Sequence, residues 1–301
     1  MVCPIVESMT RQAISDPPWM TQPFLGSDVT GAGLLSAAKL RSQLFTRLFH
    51  NVYVPAHLPL THELRCQAAA LIAPATATIT GASAAAVHGH DLAAPFDPVE
   101  LVVPERDRFT VRRGMHIRRS TLGSVTSASW RGIRLATPLR ATLDILRDNQ
   151  LRRSLPHTVG WLDVLLRGGF IDVTTFSMFL QGRRDHGVVR ARKALALADP
   201  RSDSVPESEI RVWLRLGGLV PEIRAEVLGF RLGLCFPADK LAVEYGDDSA
   251  PAHHQRWRHQ RLRAEGWQFV VVTPEQLLTD PKGMVERVRE ALRHRPELLS
   301  A

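Results

Sequence analysis

Two short apolar runs in the last third of the chain, Phe230 to Phe236 and Leu241 to Tyr245, flank the turn-forming sequence Pro237-Ala-Asp-Lys240. Runs of this length, rich in branched and aromatic residues and joined by a turn signal, predict two antiparallel strands of a hairpin. Glu244 interrupts the second run. A carboxylate within a buried strand is expensive unless it is solvated at a strand end, paired with an arginine, or bound to a metal. The hairpin therefore commits this region to a sheet and raises the question of whether the protein is an enzyme.

The flanking sequence fixes the order around that hairpin. Glu207 to Leu216 predicts a helix with Ile210, Trp213 and Leu214 on one face, ended by Gly217-Gly218. After the hairpin come a basic helical segment, His253 to Glu265, a strand, Gln268 to Val272, and helices at Pro274 to Leu278 and Pro281 to His294. Helix, strand, strand, helix, strand, helix suits a restriction-endonuclease-like α/β core.

Upstream, Ser27 through Val54 predicts two short helices, capped by Ser27 and Ser36, and a strand Val52-Tyr-Val54 ended by Pro55. This is the order of a small winged helix-turn-helix, or of any small αβ lobe. Arg41, Arg47 and His50 fall on or near its second helix and wing, where phosphates or a major groove would be met. Thr61 to Ala73 and Gly81 to Gly89 predict helices, the second ending at His88, a core or helix-end histidine. Val99 to Val103, Met115 to Arg119 and Ile133 to Ala136 predict a small antiparallel sheet. Arg106, Arg108, Arg112, Arg113, Arg118 and Arg119 crowd fourteen residues around its middle strand, as a phosphate-binding patch or as a charged edge that resists aberrant pairing. From Thr137-Pro138 the chain turns helical, over 139–147, 156–166, 173–180 and 188–198. The polar stretch 199–206 predicts the main domain boundary.

The 301 residues suffice for two domains with real cores. No apolar run approaches the roughly 20 residues a membrane helix needs, so no membrane partner is expected. Cys3, Cys66 and Cys235 are odd in number and far apart, which predicts neither a disulfide framework nor a zinc site and fits a cytoplasmic protein. Net charge is +8, and the cations are almost all arginine. That balance favours a nucleic-acid partner. Residues 1–19 show no signal-peptide pattern and predict an unstructured extension, with Met20 as an alternative start.

Taken together, Pro23-Phe-Leu-Gly-Ser27, Asn51-Val-Tyr-Val-Pro55, Gly81-Ala-Ser-Ala-Ala-Ala-Val-His-Gly89, Ala136-Thr-Pro138 with Asp144, Glu207-Ser208 with Arg211, Leu241-Ala-Val-Glu-Tyr245, and Arg261-Leu262 with Gly266-Trp267 make a pattern. Their order and spacing resemble a family of actinobacterial proteins. The front half of that family looks like the AbiEi type of antitoxin, and its C-terminal domain is related to the very-short-patch-repair endonucleases of the PD-(D/E)xK fold. The resemblance implies an α+β protein in five parts: an extension (1–19), a winged-helix-like segment (20–60), a small AbiEi-like α+β domain (61–150), a helical connector (151–203) and a restriction-endonuclease-like α/β domain (204–301).

In such nucleases a helix glutamate and acids on both hairpin strands gather Mg2+, which activates water for phosphodiester attack. Glu207 and Glu244 stand at two of the matching positions. The family pattern has aspartate where this chain has Gly233, and Glu-x-Asp-Gly where it has Glu244-Tyr-Gly-Asp247-Asp248. Asp247 or Asp248 could replace the lost acid only across a bulge at Gly246.

The first expectation is therefore a DNA-binding protein with a degenerate nuclease domain, regulatory or antitoxin-like, with no cofactor. Its phosphate contacts would come from Arg41, Arg47, Arg112, Arg113, Arg118 and Arg119, and from Arg256, Arg258 and Arg261 in the basic segment. The alternatives are an active Mg2+-dependent endonuclease using Glu207, Glu244 and Asp247 or Asp248, and an antitoxin that sequesters a toxin protein.

Overall fold

The computed structural model describes residues 17–110, 112–120, 126–147, 154–184, 186–246 and 253–294. It shows an α+β protein of two compact units, Met1–Ala136 and Thr137–Ala301.

The first unit opens with β1 (Phe24–Leu25), α1 (Gly26–Gly31), α2 (Ala37–Leu40) and the hairpin of β2 (Phe45–Phe49) and β3 (Val52–Pro55), in sheet order β1-β3-β2. Ser36 caps α2 by accepting from Lys39 N, as its sequence predicts. Ser27 does not cap α1. Asn51, at φ +61° in the β2–β3 turn, takes that role from across the sheet. Its carbonyl accepts from Gly26 N at 2.9 Å and its Oδ1 from Ser27 N at 3.0 Å. Phe24, Val29, Leu35 and Leu40 form the core of this lobe. With four residues, α2 is one turn, too short to fill a major groove as a recognition helix does.

Next come α3 (His62–Ala70), β4 (Thr78–Ile79), α4 (Gly81–Val87), β5 (Val99–Val103), β6 (Met115–Arg119), β7 (Ser127–Trp130) and β8 (Ile133–Ala136). The sheet runs β6-β5-β4-β8-β7 and corrects the expectation of an antiparallel one: β5/β6 and β4/β8 are parallel pairs. A parallel pair needs a return connection in place of a tight turn, here residues 104–114. Arg119 fastens it by donating to the carbonyls of Asp107 at 2.7 Å and Phe109 at 2.6 Å. His88 closes α4 and hydrogen-bonds the Ala136 carbonyl at 3.0 Å, the structural role expected of it.

The second unit begins with α5 (Pro138–Arg147), α6 (Leu155–Arg167), α7 (Val173–Leu180), α8 (Val188–Leu197) and α9 (Val205–Leu216). It continues with β9 (Glu222–Val227), β10 (Phe230–Phe236), β11 (Leu241–Tyr245), α10 (His253–Ala264), β12 (Gln268–Val272), α11 (Pro274–Thr279) and α12 (Pro281–Arg293). The expected boundary at 199–206 does not divide the chain. Arg211 of α9 pairs with Asp163 of α6 at 2.8 Å and donates to the Leu197 carbonyl at 3.0 Å. Gly160 lets α6 approach so closely that a Cβ there would lie 2.8 Å from the Val205 carbonyl. These ties make the helical connector and the C-terminal region one body. The break falls at Ala136/Thr137.

The sheet of this unit runs β12-β11-β10-β9, an antiparallel meander with β12 added parallel to β11 after the α10 crossover. Ile210 and Leu214 of α9 and Met284, Val285 and Val288 of α12 pack on one face with Leu234, Leu241 and Val243. Leu262 of α10 and Trp267 pack on the other with Cys235 and Ala242. The β9–β10 end changes allegiance: Ala225, Val227, Phe230 and Leu232 join the α10-side cluster, while Ile223 and Leu234 belong to the other. The switch lies between the pairs Leu232↔Ala225 and Leu234↔Ile223, where Arg224 has φ +57°. Among the described residues, no helix is long and apolar enough to cross a membrane.

Candidate functional site

Ser204 caps α9 by accepting from Glu207 N at 3.3 Å, which sets Glu207 in the first turn. Its carboxylate lies directly on Gly233 of β10. A Cβ on that glycine would stand 3.0 Å from Glu207 Cδ and 3.1 Å from each carboxylate oxygen. Oε2 accepts only a long bond, 3.4 Å, from Asp203 N, and Oε1 is buried with no hydrogen-bond partner among the described residues. Burial pushes the Glu207 carboxyl above the usual carboxylate range. Arg224 pulls the other way, but its guanidinium is engaged by Asp203.

Glu244 sits one step past the last β10–β11 pair, Leu234↔Val243, and turns toward α10. Arg258 binds its Oε1 and His259 Nε2 lies 2.7 Å from its Oε2, with all three side chains mostly buried. Phe269 supports the His259 ring, centroid to centroid 4.2 Å. Glu244 is thus the arginine-paired strand carboxylate, and Arg258, expected to contact phosphate, is turned inward.

A Mg2+ centre needs several converging, unclaimed oxygens. Here Gly233 supplies none and Glu244 has both oxygens engaged. Among the described residues no group of three or more His, Cys, Asp and Glu side chains is placed to hold a metal ion. Asp247 and Asp248 lie outside the described residues. Glu207 and Glu244 do not fit a metal site.

The other expected phosphate contacts divide. Arg256 and Arg261 are exposed on α10, on either side of the inward Arg258. Arg41 is exposed at the end of α2 and Arg47 on β2. In the dense arginine patch, Arg119 is committed to backbone carbonyls and Arg118 is half-buried on β6. Arg112 and Arg113 instead join Arg47, His50 and Phe96 around a cavity of about 640 Å3 in the first unit. At its wall lies Arg65 of α3, absent from the sequence-based set, because one arginine among the small residues of α3 carries no pattern.

Sequence reasoning also missed a buried polar pair in the second unit. His157 Nδ1 lies 2.9 Å from Glu209 Oε2, and Ser154 Oγ donates to Glu209 Oε1 at 3.2 Å. Trp161 Nε1 donates to His157 Nε2 at 3.3 Å. An indole only donates, so Nε2 faces a donor and Nδ1 faces the Glu209 carboxylate. His157 and Glu209 line a cavity of about 520 Å3 with Trp213, Tyr245 and Leu277. Pairs that form only when α6 meets α9 leave no local sequence signal.

No family model matches the chain, and no solved structure matches it. Two proteins of Mycobacterium tuberculosis do: Uncharacterized protein Rv2248 of strain H37Rv and Uncharacterized protein MT2308 of strain CDC 1551. Each is 30% identical over 174 residues, covering 53% of this chain and 62% of the relative. The chain is therefore similar to part of these proteins and spans less than two thirds of their length.

Proposed function

We propose that the protein binds nucleic acid through arginine-rich surfaces and that its C-terminal unit is a nuclease-like scaffold without cleavage chemistry, serving a regulatory or antitoxin-like role. The observation that carries this is the state of Glu244, paired with Arg258 and in contact with His259, beside a strand that carries Gly233 at the matching position. A carboxylate so engaged stabilises the α10–β11 packing instead of recruiting a cation. The order α9-β9-β10-β11-α10-β12, with a three-stranded meander and a fourth parallel strand, supports kinship with the restriction-endonuclease fold. Exposed Arg256 and Arg261 on α10, and Arg41, Arg47 and Arg113 on the first unit, leave positive charge free for phosphates.

The test is a pair of assays on the full chain: gel shift of duplex DNA across a salt series, and plasmid integrity with Mg2+ or Mn2+. Binding that weakens with salt, with intact plasmid, is expected. Absence of binding at low salt overturns the nucleic-acid reading, and metal-dependent cleavage lost in Glu244→Ala overturns the degenerate-scaffold reading.

A further inference from the structure

Arg65 projects from α3 with 8% of its surface exposed. Its Nε is buried without a hydrogen-bond partner, and among the described residues it forms no ion pair with a carboxylate. A guanidinium in this state is costly unless an anion completes it. Burial accordingly pulls its pKa below the usual guanidinium value. The group is nonetheless firmly placed. It lies 5.4 Å from the Phe49 ring centroid, a cation–π contact. Gly114, at φ +83°, leaves room for it, since a Cβ there would come within 2.8 Å of Arg65 Nη2.

What faces Arg65 is a cavity walled by cations. Arg47, His50, Arg112 and Arg113 line it, and among the described residues no carboxylate does; Asp97, next to the lining Phe96, acts on Arg65 only through space. Arg112 is held over Phe109 at 5.8 Å, so two of the arginines are braced by aromatic rings before any ligand arrives. The volume, about 640 Å3, exceeds what a bare phosphate fills. Phe96, 71% exposed, lines the same cavity and offers a ring face on which a base can stack.

We propose that this cavity binds a phosphomonoester, with Arg65 as the buried anchor, Arg47, Arg112 and Arg113 neutralising the remaining charge, and Phe96 receiving an attached base. The planar fork of an arginine matches two phosphate oxygens at once, which a lysine does not. Such a phosphate belongs either to a free nucleotide or to the 5′ end of a nucleic-acid strand. The inference stands without nucleic-acid binding by the second unit.

The experiment measures binding to the full chain by calorimetry and by thermal shift. The probes are inorganic phosphate against chloride at equal ionic strength, adenosine 5′-monophosphate against adenosine, and a 5′-phosphorylated single strand against its 5′-hydroxyl counterpart. Phosphate is expected to raise the melting temperature, and each phosphorylated probe to bind more tightly than its unphosphorylated partner. Tighter binding of the strand than of the mononucleotide assigns a strand end, and the reverse assigns a free nucleotide. Arg65→Gln is expected to weaken phosphate-dependent binding on the order of tenfold or more, as the loss of a charge-assisted bond predicts.

Should Arg65→Gln fail to fold, the double variant Arg112→Ala/Arg113→Ala carries the same expectation. Gel shift of 5′-hydroxyl duplex DNA, which carries no phosphomonoester, reads the proposed duplex binding separately. The proposal is overturned if phosphorylated and unphosphorylated probes bind alike, or if phosphate-dependent binding survives in the variants.

Discussion

The Glu207 carboxylate occupies the space that a side chain at Gly233 would take, 3.0 Å from Cδ to the position of a Cβ. An alanine at 233 asks the glutamate to yield a few tenths of an ångström. An aspartate sets a second carboxylate against one already buried with an unpartnered oxygen. Gly233→Asp is therefore expected to cost about 1–3 kcal/mol through crowding and like charge, read by denaturant unfolding, and to gain no Mg2+-dependent cleavage. A stable variant that cuts plasmid would show that one residue separates this chain from an active nuclease.

Glu207 itself gives a pH signature. Its folded pKa lies above the ordinary glutamate value of about 4.5 because burial disfavours the charged form. The folded state then holds the proton more tightly than the unfolded chain, so this group's contribution to stability is fully present below about 4.5 and is lost as pH rises through the raised folded value. Glu207→Gln is expected to stabilise the protein at pH 7 by about 1 kcal/mol, a modest figure because the side chain is partly solvated. That gain should vanish near pH 4 in paired thermal melts; a gain independent of pH would contradict the burial account.

Removing Glu244 leaves Arg258 and His259 together, with Arg258 Nη2 and His259 Nε2 already 3.5 Å apart. Glu244→Ala should destabilise the chain by about 1–3 kcal/mol, the cost of stranding partly buried polar groups, without altering plasmid integrity. Combining it with Arg258→Ala should recover part of the loss in a double-mutant cycle. Strict additivity of the two changes would mean that the pair contributes nothing.

Arg211 and Asp163 are 2% and 0% exposed and join α6 to α9. Arg211→Ala is expected to cost about 3–5 kcal/mol, because Asp163 would stay buried without its cation. If the cost instead matched an exposed pair, under about 1 kcal/mol, the second unit would not be the single body described.

Much of the second unit was legible in the sequence. The runs 230–236, 241–245 and 268–272 are the observed strands, because short apolar segments bounded by proline, glycine or charge have few alternatives. β9 was missed although Ile223, Ala225 and Val227 alternate with charged residues, since an edge strand of low hydrophobicity resembles a loop. The parallel pairing of β5 with β6 depends on how 104–114 returns, which strand composition does not encode. At the candidate site, Glu244 stands out in the sequence as a charge within an apolar strand, whereas Glu207 and Gly233 are singled out only by the family resemblance. The capture of Glu244 by Arg258 and His259, and the isolation of Arg65, arise from tertiary packing alone.

The central claim is binding without cleavage, and the most direct measurement follows duplex DNA affinity against salt in wild type and in Arg256→Ala/Arg261→Ala, with Mg2+ present and product integrity read in the same samples. Affinity should fall linearly on logarithmic axes, the double variant should flatten the slope by about 2, one unit per lost phosphate contact, and the DNA should stay intact. An unchanged slope, or Mg2+-dependent cutting that disappears in Glu244→Ala, would contradict the account.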